Sequence, residues 1–375
     1  MSVKRIIQTK IEKDLFKGKI SIIYGARQVG KTTLAKEIQK KYTENSLYLN
    51  CDEPDVRDAL TNKTSTELKS FLGNKKLVII DEAQRVENIG LTLKLLADNF
   101  PETQILATGS SAFDLSNKIS EPLTGRKNEY YLYPFSLEEL KFIYSEMEID
   151  RILERRIVFG MYPEIVQGGG KPEQNLKSLA LSYTYKDILQ YQYIKNPEIL
   201  EKLLRALALQ IGNEVSYNEL SEIIGIDKNT VASYIQLLEK TFIIFRLGPF
   251  SRNLRNELKK LRKIYFYDTG IRNALINNFN PLNLRQDVGA LWENFIISER
   301  VKYNQNNFLD KNIYFWRTTS GQEIDYIEEG NGKIAGFEMK WQKDKFKKPK
   351  LFLDAYVGSD AELINKNSYK KFIGV

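Results

Sequence analysis

Gly25-Ala26-Arg27-Gln28-Val29-Gly30-Lys31-Thr32 follows the apolar run Ile20 to Tyr24 and leads into the helical stretch Thr33-Leu34-Ala35-Lys36-Glu37-Ile38. The spacing G-x-x-x-x-G-K-[ST], set between a strand and a helix, is that of a loop that wraps a triphosphate. Its glycines let the backbone curl until successive N–H groups face the phosphates, and the helix that follows adds the positive end of its dipole. Lys31 then reaches the β and γ phosphates, and Thr32 ligates Mg²⁺. Gly25, Ala26, Arg27, Gln28, Val29, Gly30, Lys31, Thr32 and Thr33 are therefore the expected nucleotide-binding residues.

Leu77-Val78-Ile79-Ile80 is continuously apolar, the pattern of a central strand covered on both faces. Asp81 and Glu82 follow it directly. Two acids after a strand are commonly solvated turn residues, yet with the loop upstream they fill two roles that a triphosphate site requires. Asp81 stands where a strand-end carboxylate holds Mg²⁺, and Glu82 can orient or deprotonate the attacking water. No N-K-x-D guanine-reading motif occurs, which favours ATP. Further apolar runs at Leu47–Cys51, Ile105–Thr108 and Tyr130–Tyr133 alternate with helical segments and predict a parallel sheet covered by helices. From Ser136 to about Lys195 the pattern turns helical, with loops at Gly160, Pro163 and Gly168-Gly169-Gly170, and reads as a helical lid.

A chain of 375 residues exceeds one ordinary compact domain and suggests two or three. With 42% hydrophobic and 28% charged residues it has the composition of a folded, soluble protein. The formal charge of +8, from 56 basic and 48 acidic residues, is compatible with a nucleic-acid partner. Histidine is absent, which excludes a histidine base and zinc sites built from Cys and His. Cys51 is the single cysteine, so no intramolecular disulfide forms, in keeping with a reducing compartment. Met1 to Ile7 lacks the pattern of a secretion signal, and no apolar stretch is long enough to span a bilayer. The expectation is a cytoplasmic protein with no membrane partner.

After Asn196-Pro197 the periodicity stays helical, and Ser216 to Val231 reads as helix, short turn, helix. Ser221, Gly225 and Val231 have the spacing at which a small residue lets two helices touch, a glycine turns the chain and a β-branched residue anchors the second helix. A winged helix is expected over 196–270. Lys228-Asn229-Thr230 and Ser233-Tyr234 would lie at the exposed start of its recognition helix, and Phe242–Phe245 and Ile264–Tyr267 would form the wing. Between these strands Arg252, Arg255, Lys259, Lys260, Arg262 and Lys263 make a basic run suited to DNA phosphates. The same arrangement serves elsewhere as a spacer or dimerisation module, so a protein partner and a homo-oligomer stand beside DNA.

From Leu291 a helix precedes a β-hairpin, Glu323 to Glu328 and Ile334 to Lys340, split by Gly330-Asn331-Gly332. Residues two apart on a strand share a face, so Glu338 and Lys340 project together and the hairpin brings Asp325 alongside. Two carboxylates can hold Mg²⁺ over a scissile phosphate while the lysine steers or activates water. An ordinary hairpin with one polar face shows the same letters.

Taken together, these motifs make the first half similar to the AAA+ superfamily, and the whole chain resembles a family of archaeal and bacterial ATPases that join such a core to a winged helix and a restriction-endonuclease-like domain. The resemblance is carried by Gly25 to Thr32, Leu77 to Gln84, Ala107-Thr108-Gly109-Ser110-Ser111, Leu123-Thr124-Gly125-Arg126 and Gly160-Met161-Tyr162-Pro163-Glu164, in that order. It implies an α/β fold: a P-loop AAA+ parallel sheet with helical lid over 1–195, a winged helix over 196–270, and an α/β restriction-endonuclease-like domain over 271–375. It also implies that Thr108 to Ser110 includes the γ-phosphate sensor, so Thr108 and Ser110 join the nucleotide site. Arg126 becomes a candidate trans-acting or sensor arginine; from the residues alone it reads equally as a surface ion pair. The family's Arg-Asp-Ile of the lid stands here as Lys186-Asp187-Ile188, and lysine cannot copy a bidentate arginine contact. The hairpin resembles a PD-(D/E)xK nuclease core, with Asp325, Glu338 and Lys340 catalytic and Glu293 on the preceding helix joining Asp325 and Glu338 as a metal ligand. The expected cofactors are ATP and Mg²⁺. The expected activity is that of an ATP-hydrolysing switch directed at DNA, the alternative being a slow-hydrolysing regulatory protein whose C-terminal domains make protein contacts only.

Overall fold

The computed structural model describes residues 3–109, 123–168, 170–182, 197–251, 262–318 and 320–375. The chain packs as two compact units. One comprises the residues up to Pro134 with Lys240–Phe242, and the other comprises Phe135–Glu239 with Ile243–Val375.

The first unit is built on five strands, β1 (Ile20–Tyr24), β2 (Ser46–Asn50), β3 (Leu77–Asp81), β4 (Gln104–Gly109) and β5 (Lys127–Tyr131). They pair in parallel in the order β2-β3-β4-β1-β5. Every residue of β1, β3 and β4 is buried, as their apolar runs require of strands covered on both faces. Parallel pairing forces a crossover between strands, and the helices Lys31–Gln39, Ser65–Leu72 and Ile89–Asn99 supply the covering layers. The helix Ser65–Leu72 starts in a capping box, in which the Thr64 hydroxyl accepts from Glu67 N and the Glu67 carboxylate accepts from Thr64 N. Since all five strands run one way, their C-terminal ends gather at one edge, where parallel α/β sheets bind ligands.

The second unit opens with four helices, Leu137–Leu140, Glu146–Phe159, Pro163–Gln167 and Pro172–Ser182. Ser136 and Ser145 each begin a helix with a capping box closed by Glu139 and Glu148. These are the helices expected as a lid, and they pack within this unit. The helix Pro197–Leu209 then leads to β6 (Glu214–Val215), the helices Tyr217–Ile224 and Lys228–Lys240, and strands β7 (Ile244–Pro249) and β8 (Arg262–Phe266). Gly225 adopts a left-handed φ of 78°, ending the first helix of the pair, and the Ser221 hydroxyl donates to Ile226 O at 2.5 Å across the turn.

After the helices Thr269–Leu275 and Val288–Asn306 come β9 (Asn312–Arg317), β10 (Glu323–Gly330), β11 (Lys333–Met339) and β12 (Asp360–Ile364). Strands β10 and β11 form the expected hairpin. Their last pair is Gly330 with Lys333, and Asn331 and Gly332 take positive φ of 54° and 74° in a two-residue turn. One seven-stranded sheet, in the order β12-β11-β10-β9-β7-β8-β6, runs through the whole region.

That continuity alters the expected division. The boundary at 270/271 falls inside the helix Thr269–Leu275, and β7 pairs in parallel with β9 through Gly248–Tyr314 and Pro249–Phe315. Backbone hydrogen bonds thus join segments that had been expected to form separate domains. The other boundary, at 195/196, lies outside the described residues. Core packing follows the same line: Phe250, just after β7, is buried with Trp316, Ile324, Ile327, Phe352 and Tyr356.

Gly160 shows how closely this unit is packed. It ends the helix Glu146–Phe159 at a φ of 72°, and a Cβ there would lie 2.0 Å from Asp268 Oδ1. Asp268 accepts from Met161 N at 2.6 Å and caps the helix Thr269–Leu275 by accepting from Ile271 N at 3.1 Å. Gly160→Ala forces a strained backbone and displaces that carboxylate, so it is expected to lower stability by about 1–3 kcal/mol. A shift in the midpoint of urea unfolding checks this.

Candidate functional site

The loop Gly25–Thr32 leaves β1 at the C-terminal edge of the parallel sheet. Gly30 at a φ of 98° and Gln28 at 59° give it the curl expected of a phosphate cradle. Ala26 and Val29 turn into the core, Arg27 is half-buried, and Gln28 is exposed. Gly25 must be glycine for a packing reason, because a Cβ would stand 2.1 Å from the carbonyl oxygen of Leu132. Lys31 opens the following helix with its side chain buried, and Nζ donates to Gly25 O and Ala26 O at 2.9 Å each. Thr33 presents an exposed side chain on the first turn of that helix.

Beneath the loop, Asp81 at the end of β3 is 3% exposed and gathers three hydroxyls. Its Oδ2 accepts from Thr32 Oγ1 at 2.7 Å and from Tyr48 OH at 2.6 Å, and its Oδ1 accepts from Thr108 Oγ1. Thr108 lies on β4, beside β3, and its hydroxyl also accepts from Glu82 N at 3.0 Å. Glu82 takes a left-handed φ of 54°, and its Oε2 accepts from the Gln84 side-chain amide. The Thr32 hydroxyl and Asp81 carboxylate are hard oxygen donors in direct contact, a pair that suits Mg²⁺ beside a triphosphate. The expected residues Lys31, Thr32, Asp81, Glu82 and Thr108 are thus brought together. Ser110, the other sensor candidate, lies outside the described residues, as do Lys186-Asp187-Ile188.

Two residues of this site were not singled out from sequence. Tyr48 reaches Asp81 from β2, and only its place inside the apolar run Leu47-Tyr48-Leu49 hinted at an inward polar group. Gln84, two residues after Glu82, could not be assigned to that carboxylate without the 3-10 turn Ala83–Arg85. Arg126 stands apart from these residues. It precedes β5, its carbonyl accepts from Ile20 N at the start of β1, and its Nε lies 2.6 Å from Asp98 Oδ1 in an exposed ion pair. The loop leaves the other end of β1, roughly 16 Å away at 3.3 Å per residue, so the structure does not bring Arg126 to the phosphate loop of its own chain.

In the second unit, Glu293, Asp325, Glu338 and Lys340 also converge. One step beyond the Tyr326–Phe337 pair, Asp325 and Glu338 face each other across the hairpin, and Asp325 Oδ2 accepts from Met339 N at 2.9 Å. Lys340 Nζ lies 2.7 Å from Glu338 Oε1 and 3.9 Å from Asp325 Oδ2. The unexpected member is Lys263, assigned from sequence to an exposed basic run. It is buried on β8, and its Nζ lies 2.5 Å from Glu323 Oε1, 3.2 Å from Glu293 Oε1 and 3.4 Å from Asp325 Oδ1. Tyr265, two residues on and therefore on the same face, donates its hydroxyl to Glu293 Oε1 at 2.6 Å.

Burial, and then the Asp325 carboxylate, push the Glu293 carboxyl up to about 7 against the pull of Lys263. Burial opposes the charge on Lys263, but Tyr265, Glu293, Asp325 and Glu323 hold its ammonium well above the ordinary lysine value. Among the described residues no group of three or more His, Cys, Asp or Glu side chains is arranged to hold a metal ion. The Lys263 ammonium lies against Glu293 and Asp325 of the expected ligand set, so those two carboxylates as placed do not fit a resident Mg²⁺.

Within the basic run expected to face DNA, Arg262 is half-buried. Arg252, Arg255, Lys259 and Lys260 lie outside the described residues, and Lys263 is buried. On the helix Lys228–Lys240, Lys228, Asn229 and Ser233 are exposed as expected, whereas Tyr234 faces the core.

Three family models match the chain: the AAA domain over residues 17–141, a domain of unknown function (DUF8612) over 150–282, and another (DUF4143) over 288–369. The chain is 25% identical over 341 residues to an uncharacterised protein of Mycobacterium tuberculosis, covering 90% of this chain and 74% of the other. It is 25% identical over 350 residues to an uncharacterised protein of Methanocaldococcus jannaschii, covering 88% and 76%. Among solved structures, the Walker-type ATPase of Pyrococcus abyssi is similar with 18% identity and a TM-score of 0.49, over 73% of this chain and 96% of that one. Residues 17–141 are an AAA-like P-loop domain, and no helix among the described residues is long and apolar enough to cross a membrane.

Gly25→Ala tests the loop's seat. The added methyl drives the loop from Leu132 O, so nucleotide affinity is expected to fall about tenfold or more while the sheet remains folded, as read by fluorescent-nucleotide titration and circular dichroism. Unchanged affinity would show that the loop does not depend on that close approach.

Proposed function

We propose that this chain is an ATP-hydrolysing switch. The observation that carries the reading is the contact of Thr32 with Asp81 beneath the phosphate loop, which joins the two parts of a Mg-ATP site. In this reading the loop N–H groups and the Lys31 ammonium bind the β and γ phosphates, Lys31 exchanging its loop carbonyls for phosphate oxygens. Mg²⁺, when bound by Thr32 and Asp81, would neutralise charge on those phosphates. Tyr48 and Thr108 hold Asp81 in place from two neighbouring strands. Glu82 orients the attacking water and accepts its proton, with its backbone fixed by Thr108.

The second unit is read as the element that responds. The order helix, β6, helix, helix, β7, β8 supports a winged helix, and the exposed Lys228, Asn229 and Ser233 support contact with DNA phosphates. The helix Val288–Asn306 beside the β10–β11 hairpin supports a restriction-endonuclease-like architecture. A second reading, slow hydrolysis with the C-terminal elements making protein contacts only, is favoured by one contact. The Gln84 amide engages the Glu82 carboxylate that must receive the water's proton.

Phosphate release with and without duplex DNA tests both readings. Lys31→Ala is expected to weaken Mg-ATP binding about ten- to a hundredfold, and Glu82→Gln to keep binding while turnover drops about a hundredfold. ATP affinity untouched by Lys31→Ala would sink the site assignment. Stimulation by DNA separates the switch from the protein-contact reading. Gln84→Ala is expected to raise turnover roughly two- to tenfold by releasing Glu82; a fall would make Gln84 part of the water's own positioning.

A further inference from the structure

We propose that Lys263 is a built-in cation: its ammonium takes the position of a divalent metal among Glu293, Glu323 and Asp325, making the acidic cluster a clasp and not a metal-dependent phosphodiesterase centre. The inference concerns the second unit and stands apart from the nucleotide site.

The geometry points there in three ways. Lys263 has a side chain 1% exposed, and Nζ reaches one oxygen on each of the three carboxylates at 2.5–3.4 Å. A divalent ion such as Mg²⁺ would need those same oxygens at about 2.0–2.1 Å, in near-octahedral array, and two cations cannot share them at that spacing. Two of the other oxygens are already committed. Glu338 Oε1 pairs with Lys340, and Asp325 Oδ2 accepts from Met339 N. Glu338 Oε2 is buried with no hydrogen-bond partner among the described residues. One orphan oxygen does not replace the several donors that a hard divalent cation requires.

The contacts also define what the clasp joins. Lys263 lies in the matched region 150–282, whereas Glu293, Glu323 and Asp325 lie in the matched region 288–369. β8 and β10 are not neighbours in the sheet, since β9 and β7 stand between them. The lysine therefore spans strands that no backbone hydrogen bond connects, and ties both to the helix Val288–Asn306 through Glu293. A buried ammonium with three carboxylate partners is a strong constraint because breaking it leaves uncompensated buried charge.

The test uses the full chain, free of nucleotide and carrying Asp81→Asn so that the loop site takes up no Mn²⁺. Titration with Mn²⁺ followed by electron paramagnetic resonance is expected to find no uptake at the cluster. The further change Lys263→Met is expected to lower the melting temperature and to create one equivalent of Mn²⁺ uptake, with Mn²⁺ restoring the lost stability. If that variant folds only when Mn²⁺ is present during refolding, the result is the same; if Mn²⁺ neither binds nor aids refolding, the proposal falls. One equivalent of Mn²⁺ bound with Lys263 in place, and lost on Asp325→Asn, overturns it. So does Mg²⁺- or Mn²⁺-dependent nicking of plasmid DNA by the unmodified chain that Asp325→Ala abolishes; no nicking above that control is the expected result.

Discussion

The carboxylate of Asp81 is the constraint on which the nucleotide site depends. It is nearly inaccessible to water, and three hydroxyls from three different elements converge on it: Thr32 from the helix after the loop, Tyr48 from β2 and Thr108 from β4. A buried carboxylate is costly unless its lone pairs are filled, and here each hydroxyl that fills one also positions its own element. Thr108 passes the constraint on by accepting from Glu82 N, which fixes where the water-directing side chain begins. The parallel sheet makes this convergence possible, because only parallel strands deliver all their C-terminal ends to one edge.

The second unit solves a similar problem with opposite means. Its buried carboxylates are answered by an ammonium instead of hydroxyls, and Lys263 reaches those of β10 from a strand three places away in the sheet. The four residues that suggest a metal site in sequence, Glu293, Asp325, Glu338 and Lys340, thus assemble into a group that also holds the ammonium of Lys263. Identical letters support different chemistry according to what enters from elsewhere in the fold.

Much of the first unit was legible because its signals are local. The phosphate loop needs glycines at two fixed offsets and a lysine at its end, all within eight consecutive residues, and no distant contact changes that requirement. The strand β3 was legible for a similar reason: its uninterrupted apolar run Leu77–Ile80 can lie only where both faces are covered. In the second unit the hairpin at Asn331-Gly332 could be read directly, since those residues accept the positive φ that a two-residue turn demands.

Sequence by itself therefore determined the phosphate loop, Asp81 and Glu82 at a strand end, and the facing of Asp325 and Glu338 across a tight turn. Each follows from spacing along one or two adjacent elements. Tertiary structure alone decided that Tyr48 completes the shell of Asp81, that Arg126 sits at the far edge of its sheet, and that one sheet runs unbroken from β6 to β12. It also decided that Lys263 points inward. A lysine beside other basic residues reads as solvent-facing, and only the arrival of Glu293, Glu323 and Asp325 from 30 to 62 positions away makes burial of its charge favourable.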